Sequence, residues 1–370
     1  MPTERLQRLY PKLKQCGLDG LLVSLPANIS YLVEFTSRDS YVLVSEKYNT
    51  YFTDSRYTDE AKKYLKESFQ LKKTNGSVFK LIAQTCLEAG LKKIGFEERY
   101  LPYAEYKKIQ QHLGKSARLI PVNSLLEEIR RIKEPQEVEK IRQATRITVQ
   151  ALKYIKKYIR PGKKEVEIAG ELERFMRYNG AGRSAFELIV AAGANSAFAH
   201  HLSCDKKTGK NDVVLIDIGA DYEGYKSDLT RVFFLGKINF LARRVYEVVR
   251  EAQLIAIDKI RPGCPISEVD RAARDFIAKN GFGPNFSHNL GHGVGLEVHE
   301  APQISPKQDV ELQPGMVFTV EPAAYLPGKF GIRIEDIVLV TKKGCEVLSG
   351  LVKPLSAATR PRDTDTSNNM

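Results

Sequence analysis

One segment of this 370-residue chain occurs twice. Residues 159–180 and 260–281 align without a gap at an offset of 101, with eight identities in 22 positions. Ile-Arg-Pro-Gly opens both copies and Asn-Gly closes both, while Glu167 matches Glu268 and Phe175 matches Phe276. Two copies are too few for a solenoid, whose repeats stack into a continuous core. They point instead to one domain made of two related halves, each a pair of helices followed by strands. A cleft between such halves is lined by both, so any chemistry should be supplied in matching parts after each copy.

The strands that follow the copies carry such parts. After the first copy, residues 213–218 (Val-Val-Leu-Ile-Asp-Ile) are strand formers ending at Gly219, and residues 229–235 return as a second strand. Asp217 closes the first and Asp228 opens the second, so a hairpin brings them face to face. After the second copy, residues 316–320 form a strand running into Glu321-Pro322, and its partner over residues 331–340 carries Glu335. Each half thus contributes a hairpin with a carboxylate on both arms. Residues 287–300 hold His288, His292 and His299, three of the six histidines, in a frame of three glycines.

Four acids on apolar strands are expensive to bury without a cation, because like charges at close range cannot all stay ionised. One divalent ion seldom needs four carboxylates and an imidazole, whereas a pair about 3.5–4 Å apart does. Asp217, Asp228, His292, Glu321 and Glu335 are therefore candidate ligands for two divalent metal ions per chain. Oxygen-rich ligation with a single nitrogen favours manganese, with cobalt, iron or zinc as the other ions such a set accepts, and argues against a structural tetrahedral zinc. His200, His288 and His299 are candidates for donating a proton or hydrogen bond to a tetrahedral intermediate. His201 is left without a role. Arg333, near Tyr325 on the second hairpin, is placed to hold a ligand carboxylate by a charge-assisted bond.

The length suggests a second domain. Residues 1–125 alternate short apolar runs with amphipathic stretches: strands over 20–25, 40–44, 50–53 and 94–96, and helices over 3–16, 57–66, 78–89 and 103–112. That alternation implies an α/β layer fold. Residues 126–135 read as a linker, Pro135 opens a new helix, and 136–355 form the domain with the duplicated halves. Residues 356–370 have almost no apolar content and are expected to be disordered. The net charge of +12 is spread along the whole chain instead of clustered, which argues against a nucleic-acid partner. Five cysteines without a CxxC pair fit a reducing compartment. With no signal peptide and no membrane-length apolar run visible, the expected location is the cytoplasm, away from membranes.

Asp-Ile-Gly (217–219), Gly-Tyr-Lys-Ser-Asp-Leu-Thr-Arg (224–231), Gly-His-Gly-Val-Gly-Leu-Glu-Val-His-Glu (291–300), Thr-Val-Glu-Pro (319–322) and Gly-Ile-Arg-Ile-Glu-Asp (331–336) together resemble a known family. It is that of the "pita-bread" metallopeptidases: aminopeptidase P, prolidase and methionine aminopeptidase. The resemblance covers about residues 130–355. It implies an α+β domain with pseudo-two-fold symmetric halves. Asp217 and Asp228 would ligate one metal and His292 and Glu321 the other, with Asp228 and Glu335 bridging. It further implies Glu321 as general base, His200 and His299 as substrate and oxyanion contacts, and His288 as another active-site histidine. A separate α/β domain ahead of the catalytic one resembles the Xaa-Pro peptidases and creatinase, and creatinase lacks the metal ligands. The implied activity is removal of an N-terminal residue from a Xaa-Pro bond in peptides or dipeptides, by a homodimer. The rival reading is a non-catalytic pita-bread protein that binds RNA or another protein.

Overall fold

The structure, a computed structural model, describes residues 3–350; the expected disordered tail at 356–370 lies outside the described residues. The chain divides into two compact units, the first ending at Ile132 and the second beginning at Lys133.

In the first unit, Thr3 caps the opening helix Glu4–Gln15, which buries Leu6, Leu9 and Leu13 along one stripe. Six strands follow: β1 (Gly20–Val23), β2 (Tyr41–Val44), β3 (Asn49–Thr53), β4 (Gln70–Lys73), β5 (Lys93–Glu97) and β6 (Arg118–Val122). They form one mixed sheet in the order β4-β3-β2-β1-β5-β6. Ile82 and Cys86 from helix Val78–Glu88 and Ile109 and Leu113 from helix Tyr103–Leu113 pack with Leu22, Leu43, Phe52 and Phe96 of the strands. This is the α/β layering the alternation implied.

Three elements of this unit escape the sequence reading. The edge strand β4 reads Gln-Leu-Lys-Lys and the edge strand β6 carries Pro121. Lysine and proline blunt an edge against further pairing, and an edge needs no apolar alternation to form. Helix Pro26–Val33 starts on its proline, where no N–H is required. The stretch expected as a linker also differs. Helix Leu125–Arg130 buries Leu126, Ile129 and Arg130, and Arg130 Nη1 donates to Asn28 Oδ1 at 2.7 Å. Its acidic and basic residues disguise a helix that is folded into the first unit.

The second unit opens with helix Pro135–Ile155, whose first turn is closed by a capping box between Glu134 and Glu137. Helices come in two pairs, Pro135–Ile155 with Glu165–Tyr178 and Phe240–Lys259 with Ile266–Lys279. Glu165–Tyr178 and Ile266–Lys279 start and stop at equivalent positions under the offset of 101. Their tethers match as well. Gly162 N–H bonds Thr208 O at 2.8 Å and Gly263 N–H bonds Leu312 O at 2.9 Å, while Glu165 and Ile266 N–H bond Lys206 O and Val310 O, both at 3.0 Å. Gly162 and Gly263 sit at φ +92° and +80°, a conformation that only glycine adopts cheaply. The duplication is therefore structural.

Each helix pair leads into antiparallel strands. In the first half the order is Leu229–Phe234, Val213–Ile218, Ile189–Ala192; in the second it is Glu300–Ile304, Gly291–Gly293, Val317–Val320, Asp336–Val340, Cys345–Val347. The halves share a core in which Ile189, Leu215 and Val232 pack with Val245, Val249, Ala324 and Ile332. The single strand expected over 331–340 is in fact two, Phe330–Arg333 and Asp336–Val340, and their partners are Ala323–Leu326 and Val317–Val320. The ladder breaks at Glu321-Pro322 on one arm and Ile334-Glu335 on the other. Pro322 has no N–H to offer, and Glu335 sends its own N–H to Thr230 O of the first half, at 3.2 Å.

Candidate metal centre

Side chains two residues apart on a strand share a face. In the first hairpin Asp217 pairs with Thr230 and Ile218 with Leu229. Asp228, two before Thr230, therefore lies on the face of Asp217 but diagonal to it, where a directly opposed pair was expected. In the second hairpin the acids emerge at the breaks in the ladder. Glu321 N–H turns to Leu290 O at 2.8 Å. The Arg231 guanidinium donates to the carbonyls of Thr230 and Glu335 and to the Asp336 carboxylate. The two halves are thus bonded together where the acids project.

His292 stands between Gly291 and Gly293. A Cβ at Gly291 would lie 1.9 Å from Thr319 O, and one at Gly293 would lie 2.2 Å from Ala301 O. This strand approaches its neighbours more closely than any side chain permits, which accounts for the glycines around the histidine. His292 Nδ1 donates to Gly293 O at 3.1 Å. That bond leaves Nε2 facing Glu321 Oε1 at 3.3 Å and Asp228 Oδ2 at 3.6 Å.

The five expected ligands meet. Asp217, Asp228 and Glu335 bring one oxygen each to within 4.8 Å of one another; so do the donors of His292, Glu321 and Glu335, and those of Asp228, His292 and His299. Asp217, Asp228 and Glu335 are buried. Burial, then the charges of Glu335 and Asp217, push Asp228 well above the usual carboxylate range. Burial, then Glu321 and Asp217, do the same to Glu335. Burial is the largest influence on His292 and on Glu321 and works against the charge of each. The hydrogen bond and attraction between the two, joined by Gly293 O and Asp217 at the histidine and by His288 and Arg333 at the acid, together raise the histidine and lower the acid. Asp217 Oδ1 and Asp228 Oδ1 are buried with no hydrogen-bond partner. Oxygens orphaned in this way are costly. Divalent cations would satisfy both and relieve the mutual repulsion, and oxygen donors with one imidazole are a set such cations accept.

Arg333 is buried against this cluster, with Nη2 on Asp217 Oδ2 at 2.6 Å and Nε on Thr230 Oγ1 at 3.0 Å. Thr230 Oγ1 in turn donates to Glu335 Oε2 at 2.7 Å. Arg333 Nη1 also donates to Tyr325 Oη, which lies 3.2 Å from His288 Nε2. Since His288 Nδ1 donates to Asn289 O at 2.8 Å, Nε2 is the acceptor for the tyrosine hydroxyl. Burial holds His288 below the usual histidine value, which favours the neutral ring. His288 thus reaches the cluster through Tyr325 and Arg333. The His299 ring stands 4.2 Å from that of His292 and is exposed. His200 is exposed and outside the three donor groups, though its neighbour Ala199 accepts from Arg333 Nη1 at 3.3 Å.

Sequence reasoning missed two hydroxyls. Besides Thr230, Thr319 Oγ1 donates to Glu321 Oε1 at 3.2 Å and accepts the His292 N–H at 3.1 Å. The signal was present: each threonine lies two residues from an expected ligand at the end of its strand, and period two puts it on the face of that acid.

Residues 139–342 match the Metallopeptidase family M24, and residues 5–132 match the Creatinase/Prolidase N-terminal domain. The chain is similar to a Xaa-Pro dipeptidase of Pyrococcus horikoshii, 33% identical over 348 residues, or 94% of this chain and 97% of the relative. Among solved structures it is similar to a Xaa-Pro dipeptidase from Bacillus anthracis, with a TM-score of 0.92 and 37% identity over 96% of this chain and 98% of the other. It is also similar to an X-Pro aminopeptidase from Thermotoga maritima MSB8, with a TM-score of 0.86 and 38% identity over 94% and 98%. Both copies of the repeated segment and all the converging donors fall within the first match. This chain belongs to the Metallopeptidase family M24, with the pita-bread catalytic fold behind a creatinase/prolidase N-terminal domain.

Proposed function

We propose that the chain is a metal-dependent exopeptidase that hydrolyses the bond between an N-terminal residue and a following proline. The convergence of five donors, two of them carboxylates with a partnerless buried oxygen, carries this reading. The relatives named Xaa-Pro dipeptidase and X-Pro aminopeptidase supply the substrate class. Asp217 and Asp228 would hold one divalent ion and His292 and Glu321 a second, with manganese the first choice. Asp228 and Glu335, which each belong to two of the donor groups, would be shared. When bound, the ions supply Lewis-acid chemistry, polarising the scissile carbonyl and making hydroxide available near neutral pH.

The chain's own residues provide the rest. Glu321, kept ionised by His292 and oriented by Thr319, takes up a proton as general base. It then returns the proton to the proline nitrogen, which has no hydrogen of its own in the peptide and must gain one to leave. His299 and His200, both exposed, donate hydrogen bonds to the substrate and to the developing oxyanion. Arg333 positions Asp217, and Tyr325 fixes the ring of His288. The five free cysteines support a reducing, cytoplasmic setting, and the working unit is proposed to be a homodimer.

Metal content per chain, measured alongside hydrolysis of a Xaa-Pro dipeptide and a Xaa-Pro pentapeptide, tests this reading and separates a dipeptidase from an aminopeptidase. Glu321→Gln should keep the ion held by Asp217 and Asp228, bind the second more weakly, and lose about 10²-fold or more in kcat. A variant that cleaves at the wild-type rate would end the assignment.

A further inference from the structure

Outside the five-donor centre, Glu165, His201 and Cys204 bring a carboxylate oxygen, an imidazole nitrogen and a thiol sulfur to within 4.8 Å of one another. We propose that they form a binding site for one zinc-class divalent cation, separate from the catalytic centre.

Glu165 is the first residue of helix Glu165–Tyr178, and its counterpart in the second copy is Ile266. The carboxylate is therefore not required by the duplicated framework, although its residue is fully buried. Donors surround it. Oε1 accepts from Ala192 N–H at 2.7 Å and Asn195 Nδ2 at 3.0 Å. Oε2 accepts from His201 Nε2 at 2.7 Å, Cys204 N–H at 3.2 Å and Cys204 Sγ at 3.1 Å. One oxygen is thus held from behind while the other faces two groups that can exchange a proton for a metal. Such support for a ligand is what metal sites require.

Charge and donor type agree. A divalent cation on Oε2, Nε2 and Sγ meets one carboxylate and one thiolate, so the assembly is neutral overall. Binding releases the thiol proton to solvent and moves the imidazole proton from Nε2 to Nδ1, with no change of oxidation state. Thiolate and imidazole select zinc-class ions over manganese or magnesium, and the catalytic ligands include no sulfur. The Asn195 amide nitrogen stands beside the two proton-exchanging groups, 3.2 Å from His201 Nε2 and 3.7 Å from Cys204 Sγ, while it donates to Glu165 Oε1 at 3.0 Å and so holds the oxygen that the cation leaves free. Cys204 is exposed and His201 half-buried, which leaves a way in. Residues 192–204 carry His200, so the cation would sit between the two ends of the segment presenting that histidine.

Cadmium(II) is the probe, added to enzyme already loaded with its catalytic metal and read by thiolate-to-cadmium ultraviolet absorption. The expected result is a band saturating at one cadmium per chain and reversed by zinc. It should be lost in Cys204→Ser, which keeps peptidase turnover, and retained in Cys16→Ser. His201→Gln should weaken cadmium binding by about tenfold or more. The absence of a band at stoichiometric cadmium, a band that survives Cys204→Ser, or unchanged affinity in His201→Gln would each overturn the site. Glu165 would then be only a strut for the 192–204 segment. The optical readout does not depend on peptide cleavage, so it stands apart from the fate of the proposed activity.

Discussion

Arg333 ties three parts of the centre together through one planar group: Asp217, Thr230 and Tyr325. Lysine keeps the charge but cannot reproduce that fork. Arg333→Lys should therefore lower metal affinity by about 10–100-fold, read by titrating metal-free enzyme; unchanged affinity would remove Arg333 from the site. The cysteines give a second test at this scale. Burial pushes the Cys86 thiol up to about 12, so its reactive thiolate stays negligible until the pH approaches that value. At mildly alkaline pH, an alkylating reagent should label the exposed Cys16 and Cys204 and spare Cys86 in the native protein, with peptide mass mapping as the check. The candidate ligands could be picked out in the sequence because carboxylates on apolar strands are conspicuous. Thr230 and Thr319 were harder, since threonine is an ordinary strand residue until its partner is known.

At the scale of elements, the glycine-framed strand Gly291–Gly293 and the interrupted second hairpin set the geometry. Gly291→Ala would drive a Cβ into the Thr319 carbonyl, prising apart the two strands that carry His292 and lead to Glu321. It should cost about 1–3 kcal/mol of stability and weaken metal binding. Gly170, exposed within helix Glu165–Tyr178, has nothing within 4 Å of an added Cβ. Gly170→Ala should instead stabilise by about 0.5–1 kcal/mol. Thermal or urea unfolding of the pair checks both signs. Apolar runs located the inner strands and the longer helices of the first unit, helix Pro135–Ile155 and the strands beside the carboxylates, while the other helices of the repeated pairs were implied by the repeat without bounds. They did not show the breaks at Pro322 and Glu335, because each break depends on where a backbone N–H goes, and that of Glu335 goes to the other half.

For the molecule as a whole, the ions and the fold should support each other. Without cations, Asp217, Asp228, Glu321 and Glu335 repel one another inside the second unit, and two carboxylate oxygens stay orphaned. Chelation should lower Tm by about 5 °C or more, since a ligand at about 100 times its Kd contributes about 2.7 kcal/mol. Restoring the metal should reverse the loss, and a Tm indifferent to chelation would count against the centre. The sequence by itself determined the duplication, the α/β unit in front of it, and the five donors that the structure brings together, because each is written in local periodicity or residue type. Tertiary structure alone decided the diagonal of Asp217 and Asp228, the chain from Asp217 through Arg333 and Tyr325 to His288, and the meeting of Glu165, His201 and Cys204. These depend on polar bonds between residues far apart in the chain, and no local pattern records which distant groups a buried side chain will find.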